Sequence, residues 1–211
     1  MSRREVFLEA AELVVPLFGH EQVAARWSEP SALTGLSVGG LATHLAGQVV
    51  SVHAAGTVPS ASSRDKPVTL MEHYTRAEWV TAGPDDEANV SIRDRAEHSA
   101  EEGHAAVVER LERSTSALRR WTAEAPTSVR MPWWDWSLSM DDFILTRMME
   151  VMVHSDDLAV SIGVPTPEFP RSVARPVLTL LTSLAERWHG QPALIRALTR
   201  SERAPTSLAV F

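Results

Sequence analysis

The sequence predicts an all-α protein, and three observations carry that prediction. Apolar residues recur at intervals of three and four along most of the 211-residue chain, as expected for helices that bury one face. Clusters of Pro, Gly and Ser separate these stretches. The strict alternation of apolar and polar residues that indicates strands is almost absent. A chain of this length can form one sizeable core, so we expect one main domain.

The helices expected in the first part of the chain are separated by residues that break helices. Their ranges are 2–27, 37–58, 68–82 and 85–125. Pro16 and Gly19 are expected to kink or divide the first range. The hydroxyl of Ser37 can cap the second helix, which should end before Pro59. A Ser-rich loop is expected over 60–66, and the charged range 85–125 has the pattern of one long surface helix.

The second part of the chain begins with an irregular segment over 126–138, which contains three tryptophans and is expected to lie over the bundle. A helix should begin at Ser139, where Asp142 resembles the second member of a capping box. It should run to about Ile162 and stop at Gly163. The remaining expected elements are helices over 169–189 and 192–200 and a short strand or loose end over 207–211.

Composition excludes several classes of partner. The net charge of −7 argues against nucleic acid and against an anionic membrane surface, because both select clustered positive charge. The chain has no cysteine, so any thiol chemistry needs an external thiol. No apolar signal core or long apolar run occurs, which predicts a cytoplasmic protein.

One face of the helix expected over 139–162 is polar. The side chains on this narrow stripe are Phe143, Arg147, Glu150, His154, Asp157 and Ser161. The rest of the circumference is largely apolar, so the helix is expected to be buried on most sides with its stripe facing an interior cleft. A carboxylate in that position needs a cation close by, either a metal ion or an arginine.

Glu150 and His154 are candidate metal ligands, because side chains four residues apart lie one helical turn apart and can converge on one ion. Asp157, on the same face, can orient the imidazole of His154, and Arg147 is a further candidate for a catalytic role. The alternative is an ion pair between Glu150 and Arg147 or another arginine, with His154 as a structural histidine. His44 is the best candidate for a third ligand.

Two motifs carry a resemblance to a known family. The segment 35–47 ends in H-L-A-G, starting at His44, and the segment 146–159 contains E-x-x-x-H from Glu150 to His154, followed by x-x-D. Together they resemble the mycothiol-dependent maleylpyruvate isomerase family, within the wider DinB-like superfamily. The resemblance covers roughly 1–165. We therefore expect a metal-binding bundle over 1–165 and a helical extension over 166–211, packed on the same domain.

The resemblance implies a four-helix bundle that binds zinc through His44, Glu150 and His154, with mycothiol as the thiol cosubstrate. One departure is Leu36, where many relatives carry Trp. Another is the C-terminal α/β domain of the isomerase proper, which contributes a catalytic arginine, whereas this chain's tail is too short for a full copy. Candidate replacements for that catalytic arginine are Arg196, Arg200 and Arg203. The favoured interpretation is that all three are surface arginines.

Three protein ligands leave one coordination position open, where an incoming thiol would ionise and attack a small electrophile. The reaction would be isomerisation or S-transfer. Trp133 and Trp134 are candidates to line the substrate pocket, with packing in the core or a loop as the alternative. Two other functions stay open: metal-assisted hydrolysis, with Asp157 or an arginine assisting, and a non-catalytic bundle that uses the metal only for stability or that senses a ligand and binds a partner. The sequence does not predict the oligomeric state.

Overall fold

The computed structural model describes residues 1–57, 66–83, 85–121, 126–132 and 134–211. The helices are α1 Arg3–Phe18, α2 Glu21–Ala25, α3 Val38–Thr57, α4 Leu70–Arg76, α5 Glu78–Thr81, α6 Glu87–Ala100, α7 His104–Arg120, α8 Met140–Ile162, α9 Arg171–His189 and α10 Gln191–Thr199, with a 3-10 turn at Ser201–Arg203. Two short strands, β1 Ser128–Val129 and β2 Leu138–Ser139, pair in antiparallel fashion. The all-α prediction is therefore confirmed.

Four helices form the bundle. Helices α1 and α3 each pack against both α7 and α8, and α6 covers α3 from outside. Fully buried side chains at the centre include Phe7, Phe18, Leu41, Leu45, Leu111, Phe143, Ile144, Met148, Met149 and Leu158. Each such side chain contributes about 1.5–3 kcal/mol when it leaves water, so the apolar faces of these helices hold the bundle together.

The start of α3 is fixed by hydrogen bonds that reach another helix. The hydroxyl of Ser37 accepts from the backbone N–H of Gly40 at 2.9 Å, which confirms the predicted cap. The carboxylate of Glu97, on α6, accepts from the Ser37 N–H at 2.6 Å and from the Ser37 hydroxyl at 2.9 Å. A Cβ at Gly40 would collide with this carboxylate. These contacts set the orientation of α3 and of the side chains that it carries.

Both ends of α8 were predicted from local signals. The hydroxyl of Ser139 accepts from the Asp142 N–H at 3.0 Å. Gly163 adopts the left-handed conformation, with φ of 73°, and ends the helix. Most of the helix is buried, and α9 packs along α8 and α1.

Two expected ranges are wrong as single helices. The range 85–125 contains α6 and α7, separated at Gly103, whose φ of 86° lies outside the helical region. The range 68–82 contains α4 and α5, separated by Ala77 in an extended conformation, with φ of −72° and ψ of 101°.

The first expected range, 2–27, is divided into α1 and α2 around Gly19, one of the two outcomes that the sequence allowed. The loop expected over 60–66 lies outside the described residues, apart from its last position. The range 207–211 forms no strand. Within the described ranges, no helix combines the length and the apolar content that crossing a membrane would require.

Candidate metal centre

Three of the predicted site residues converge where α3 packs against α8. His44 comes from α3, and Glu150 and His154 come from consecutive turns of α8. Their ligand atoms all lie within 4.8 Å of one another. The Oε2 atom of Glu150 is 3.0 Å from Nε2 of His154 and 3.8 Å from Nε2 of His44. Two imidazoles and one carboxylate therefore surround one point.

These separations fit a divalent ion. A tetrahedral zinc ion with ligand bonds of about 2.0–2.1 Å places neighbouring ligand atoms roughly 3.3 Å apart. The observed 3.0 Å and 3.8 Å lie on either side of that value, and the ligand nitrogens of the two histidines lie within 4.8 Å of each other. Side-chain rotations would bring all three atoms into bonding distance. Imidazole and carboxylate groups are ligands that zinc accepts in open, three-ligand sites.

Asp157 contacts the far side of the His154 ring. Its Oδ2 atom lies 2.9 Å from Nδ1 of His154. An ionised carboxylate can only accept, so Nδ1–H donates this hydrogen bond, and Nε2 is left facing Glu150. This is the arrangement by which carboxylates orient metal-binding histidines. Asp156 is exposed and accepts a hydrogen bond from Thr166 instead.

The ionisation of Glu150 and His154 is set by their mutual contact. Burial opposes ionisation of Glu150, but hydrogen bonds from His154 and His44 and the charge of Arg147 outweigh it and hold the pKa of Glu150 well below its usual value. Burial would also lower the pKa of His154, but Asp157 and Glu150 raise that pKa to about 9. At neutral pH, a metal ion would therefore replace a proton at Nε2 of His154.

Gln48 connects His44 to Arg147, a role that the sequence analysis missed. Arg147 Nη1 donates to Gln48 Oε1 at 2.6 Å. The Gln48 amide nitrogen donates to the backbone carbonyl of His44 at 3.0 Å and lies 3.2 Å from His44 Nε2. The only signal in the sequence is the four-residue spacing from His44. Arg147 also donates to Thr146, and its charge lowers the pKa of Glu150.

An aromatic cluster adjoins the candidate centre. Trp134 stacks on Trp136 with ring centroids 5.8 Å apart, and its ring lies 4.7 Å from that of His73 and 6.2 Å from that of Phe143. The guanidinium of Arg147 lies 5.6 Å from the Phe143 ring. Trp134 is thus near the centre, and its contact with substrate stays a prediction.

Trp133, the other tryptophan predicted to line the pocket, lies outside the described residues. The three arginines considered as replacements for a catalytic arginine lie on α10 or in the segment after it, and all are exposed: Arg196, Arg200 and Arg203.

The centre is partly open on the side of α3. The side chain of His44 is 22% exposed. Gly47, one turn further along the same helix, is also exposed, and a Cβ added there would meet no other described atom within 4 Å. His44 is therefore accessible from solvent.

The fold and the site together define a helical bundle with a candidate metal centre between two of its helices. The sequence profile described as "Mycothiol maleylpyruvate isomerase N-terminal domain" matches residues 18–159. The chain belongs to this family.

One solved structure has the same fold. It is the crystal structure of a histidine-to-alanine mutant of the mycothiol-dependent maleylpyruvate isomerase, and it aligns with a TM-score of 0.52 over 90% of this chain and 75% of that chain. The two sequences are 18% identical in this alignment. No curated protein sequence matches the chain.

Proposed function

We propose that this protein is a metal-dependent enzyme that activates a small-molecule thiol, mycothiol, for attack on a small electrophile. The metal is a divalent ion, zinc by preference, bound by His44, Glu150 and His154. The observation that carries the proposal is the convergence of these three ligand atoms within 4.8 Å, together with the carboxylate of Asp157 behind His154. Membership of a family named for a mycothiol-dependent isomerase supports the choice of thiol.

The protein's own residues prepare the centre for an external ligand. Glu150 is ionised because its pKa is held well below the usual value, and Asp157 fixes the orientation of the His154 ring. A bound zinc ion supplies Lewis acidity, which lowers the pKa of a coordinated thiol below its ordinary value of about 8.5. The chain has no cysteine, so the sulfur comes from the cosubstrate.

The electrophile would be a small unsaturated compound. Attack of the thiolate forms a carbon–sulfur bond and moves the electron pair of the double bond onto its other carbon, where a conjugated carbonyl group stabilises the charge. If the bond between the carbons rotates and the same sulfur leaves, the double bond returns in its other configuration and the thiol is regenerated. If the sulfur stays and the carbanion takes up a proton from water, the product is a thioether. The first outcome is an isomerase reaction and the second is S-transfer.

We also propose that 166–211 belongs to the same folding unit as the bundle. The helix α9 packs on α8 and α1 through the buried side chains of Val173, Val177, Leu180 and Leu184. A reduced thiol as cosubstrate is consistent with a cytoplasmic protein, because the cytoplasm keeps thiols reduced.

Metal analysis followed by a thiol screen tests the proposed function. We expect about one zinc ion per chain in the purified protein, because three protein ligands form one catalytic zinc site. We also expect thiol-dependent turnover of maleylpyruvate or of another unsaturated acid. His44→Ala should keep the helical circular dichroism spectrum and lose turnover. Turnover by His44→Ala that equals the wild type would contradict the proposal.

The same experiment separates the two competing functions. Metal-dependent ester hydrolysis without any thiol would identify a hydrolase. Unfolding of the wild type on chelation, with no turnover under any condition, would identify a structural metal.

A further inference from the structure

Two neighbouring side chains on α4 are buried with unsatisfied polar atoms. His73 is 1% exposed and Tyr74 is 0% exposed, and their ring centroids lie 5.0 Å apart. Within the described part of the chain, neither Nε2 of His73 nor the hydroxyl of Tyr74 has a hydrogen-bond partner. Such a group costs roughly 1–3 kcal/mol when it is left unpaired, so the pair calls for a functional explanation.

The free nitrogen of His73 is a hydrogen-bond donor. The indole N–H of Trp136 lies 3.2 Å from Nδ1 of His73, and because an indole N–H can only donate, Nδ1 is the acceptor. Burial and the charge of Arg147 lower the pKa of His73 to about 4, against the opposing charge of Glu150. The ring is therefore neutral at pH 7, with its one proton on Nε2.

The hydroxyl of Tyr74 is a second neutral donor. Burial raises the pKa of Tyr74, and the charge of Glu150 raises it further. The ring of Trp134 lies 4.7 Å from that of His73 and 6.2 Å from that of Phe143, and the guanidinium of Arg147 lies 5.6 Å from the Phe143 ring. The two donors therefore lie on the side of the candidate metal centre that carries Arg147. At His73 the positive charge of Arg147 has a larger effect than the negative charge of Glu150, which favours an anion at that donor. At Tyr74 the charge of Glu150 has the larger effect, and its pairing with His154 offsets part of it.

We propose that His73 and Tyr74 donate hydrogen bonds to an anionic oxygen of the electrophile, an unsaturated carboxylic acid bound beside the metal centre near Arg147. This inference rests on the proposed function and assigns the part of the site that recognises the substrate. Two preorganised donors in aromatic surroundings interact more strongly with a charged oxygen than they would in water. A bound carboxylate, with its two oxygens, meets the unmet hydrogen-bonding capacity of both side chains.

Three variants test the assignment. Tyr74→Phe removes only the hydroxyl. His73→Asn keeps an acceptor for Trp136 and deletes the donor at Nε2, whereas His73→Gln, the matched control, can place an amide N–H near the Nε2 position. The probe is maleate, a small unsaturated dicarboxylate, titrated calorimetrically into the zinc-loaded protein without thiol.

We expect the dissociation constant for maleate to rise about tenfold or more in Tyr74→Phe and His73→Asn, because each loses a hydrogen bond to a charged group. The rise should be smaller in His73→Gln. Without maleate, Tyr74→Phe should melt about 2–4 °C higher, because an unpaired buried hydroxyl is gone. The uncharged dimethyl ester of maleate should bind much more weakly than maleate to the wild type.

Unchanged maleate affinity in both Tyr74→Phe and His73→Asn would overturn the inference. Equal affinity of the wild type for maleate and its dimethyl ester would overturn the anionic class of ligand. Maleate affinity that falls in both variants supports the inference even if no thiol-dependent turnover is found. Thiol-dependent turnover with an unchanged KM in both variants would keep the proposed function and overturn this inference.

Discussion

Nδ1 of His154 lies 2.9 Å from the carboxylate of Asp157. The two residues are three positions apart on α8, so one helix supplies both the ring and the group that orients it. The other nitrogen of the ring faces Glu150. The contacts that position the two candidate metal ligands on α8 therefore lie within that helix and do not depend on α3.

The first prediction concerns Asp157. In Asp157→Ala the His154 ring loses its orienting partner, and we expect the affinity for zinc to fall about 10–100-fold. Competition with a chromogenic chelator measures this affinity. Asp156→Ala is the control, since Asp156 is exposed and contacts Thr166. Equal losses in the two variants would show that Asp157 has no special role.

The second prediction concerns two glycines of α3. Gly47→Ala should stabilise the protein by about 1 kcal/mol, because alanine favours a helix and the added Cβ meets open space. It should also weaken binding of the proposed thiol, because the added methyl group lies one turn from His44 on an exposed part of α3. Gly40→Ala should destabilise the protein, since its Cβ would displace the Glu97 carboxylate from the start of α3. Urea unfolding and thiol titration provide the measurements, and a stabilising Gly40→Ala would disagree with the observed packing.

The third prediction concerns the pH dependence of stability. Burial holds the pKa of His73 at about 4, below its ordinary value of 6.5, so the unfolded chain binds a proton that the folded chain does not. The contribution of neutral His73 is complete above pH 6.5 and is lost as the pH falls towards 4. We expect about 2 kcal/mol of the free energy of unfolding to disappear between pH 7.5 and pH 5 through this group.

Urea unfolding of the wild type and of His73→Gln at both pH values isolates this effect. The wild type should lose more stability on acidification than His73→Gln does, because glutamine does not titrate. Identical losses in the two proteins would exclude a depressed pKa at His73.

The fourth prediction concerns the C-terminal helices. Val177 is buried between α9 and the bundle, so Val177→Ala should lower the stability of the whole protein by about 2 kcal/mol. Leu178→Ala is the control, because Leu178 is 51% exposed and surface changes usually stay within about 0.5 kcal/mol. Calorimetry should give a single transition in all three proteins. Two calorimetric transitions would contradict a single folding unit if Val177→Ala lowered the melting temperature of only one of them, the transition of 166–211.

The parts of the fold that were predictable depend on local chemistry. The bounds of α3 and α8 follow from Ser37 and Ser139 at their starts and Gly163 at the end of α8, all of which act within a few residues. The break at Gly103 was missed because the charged helical pattern continues on both sides of it. The break at Ala77 has no comparable signal, since alanine favours helices.

The candidate centre was predictable only in part. The spacing of Glu150, His154 and Asp157 on one helix face is visible in the sequence. The contribution of His44 came from resemblance, because sequence separation does not determine distance in space. The roles of Gln48 and His73 depend on contacts with Arg147 and Trp136 from other parts of the chain, and no local pattern predicts such contacts.

X-ray absorption at the zinc edge tests the central claim most directly. The chain has no cysteine, so a thiolate sulfur bound to zinc can only come from an added thiol. In the zinc-loaded wild type with mycothiol, we expect one sulfur at about 2.3 Å beside nitrogen and oxygen ligands at about 2.0–2.1 Å. A spectrum with only nitrogen and oxygen ligands in the presence of saturating mycothiol would contradict the account.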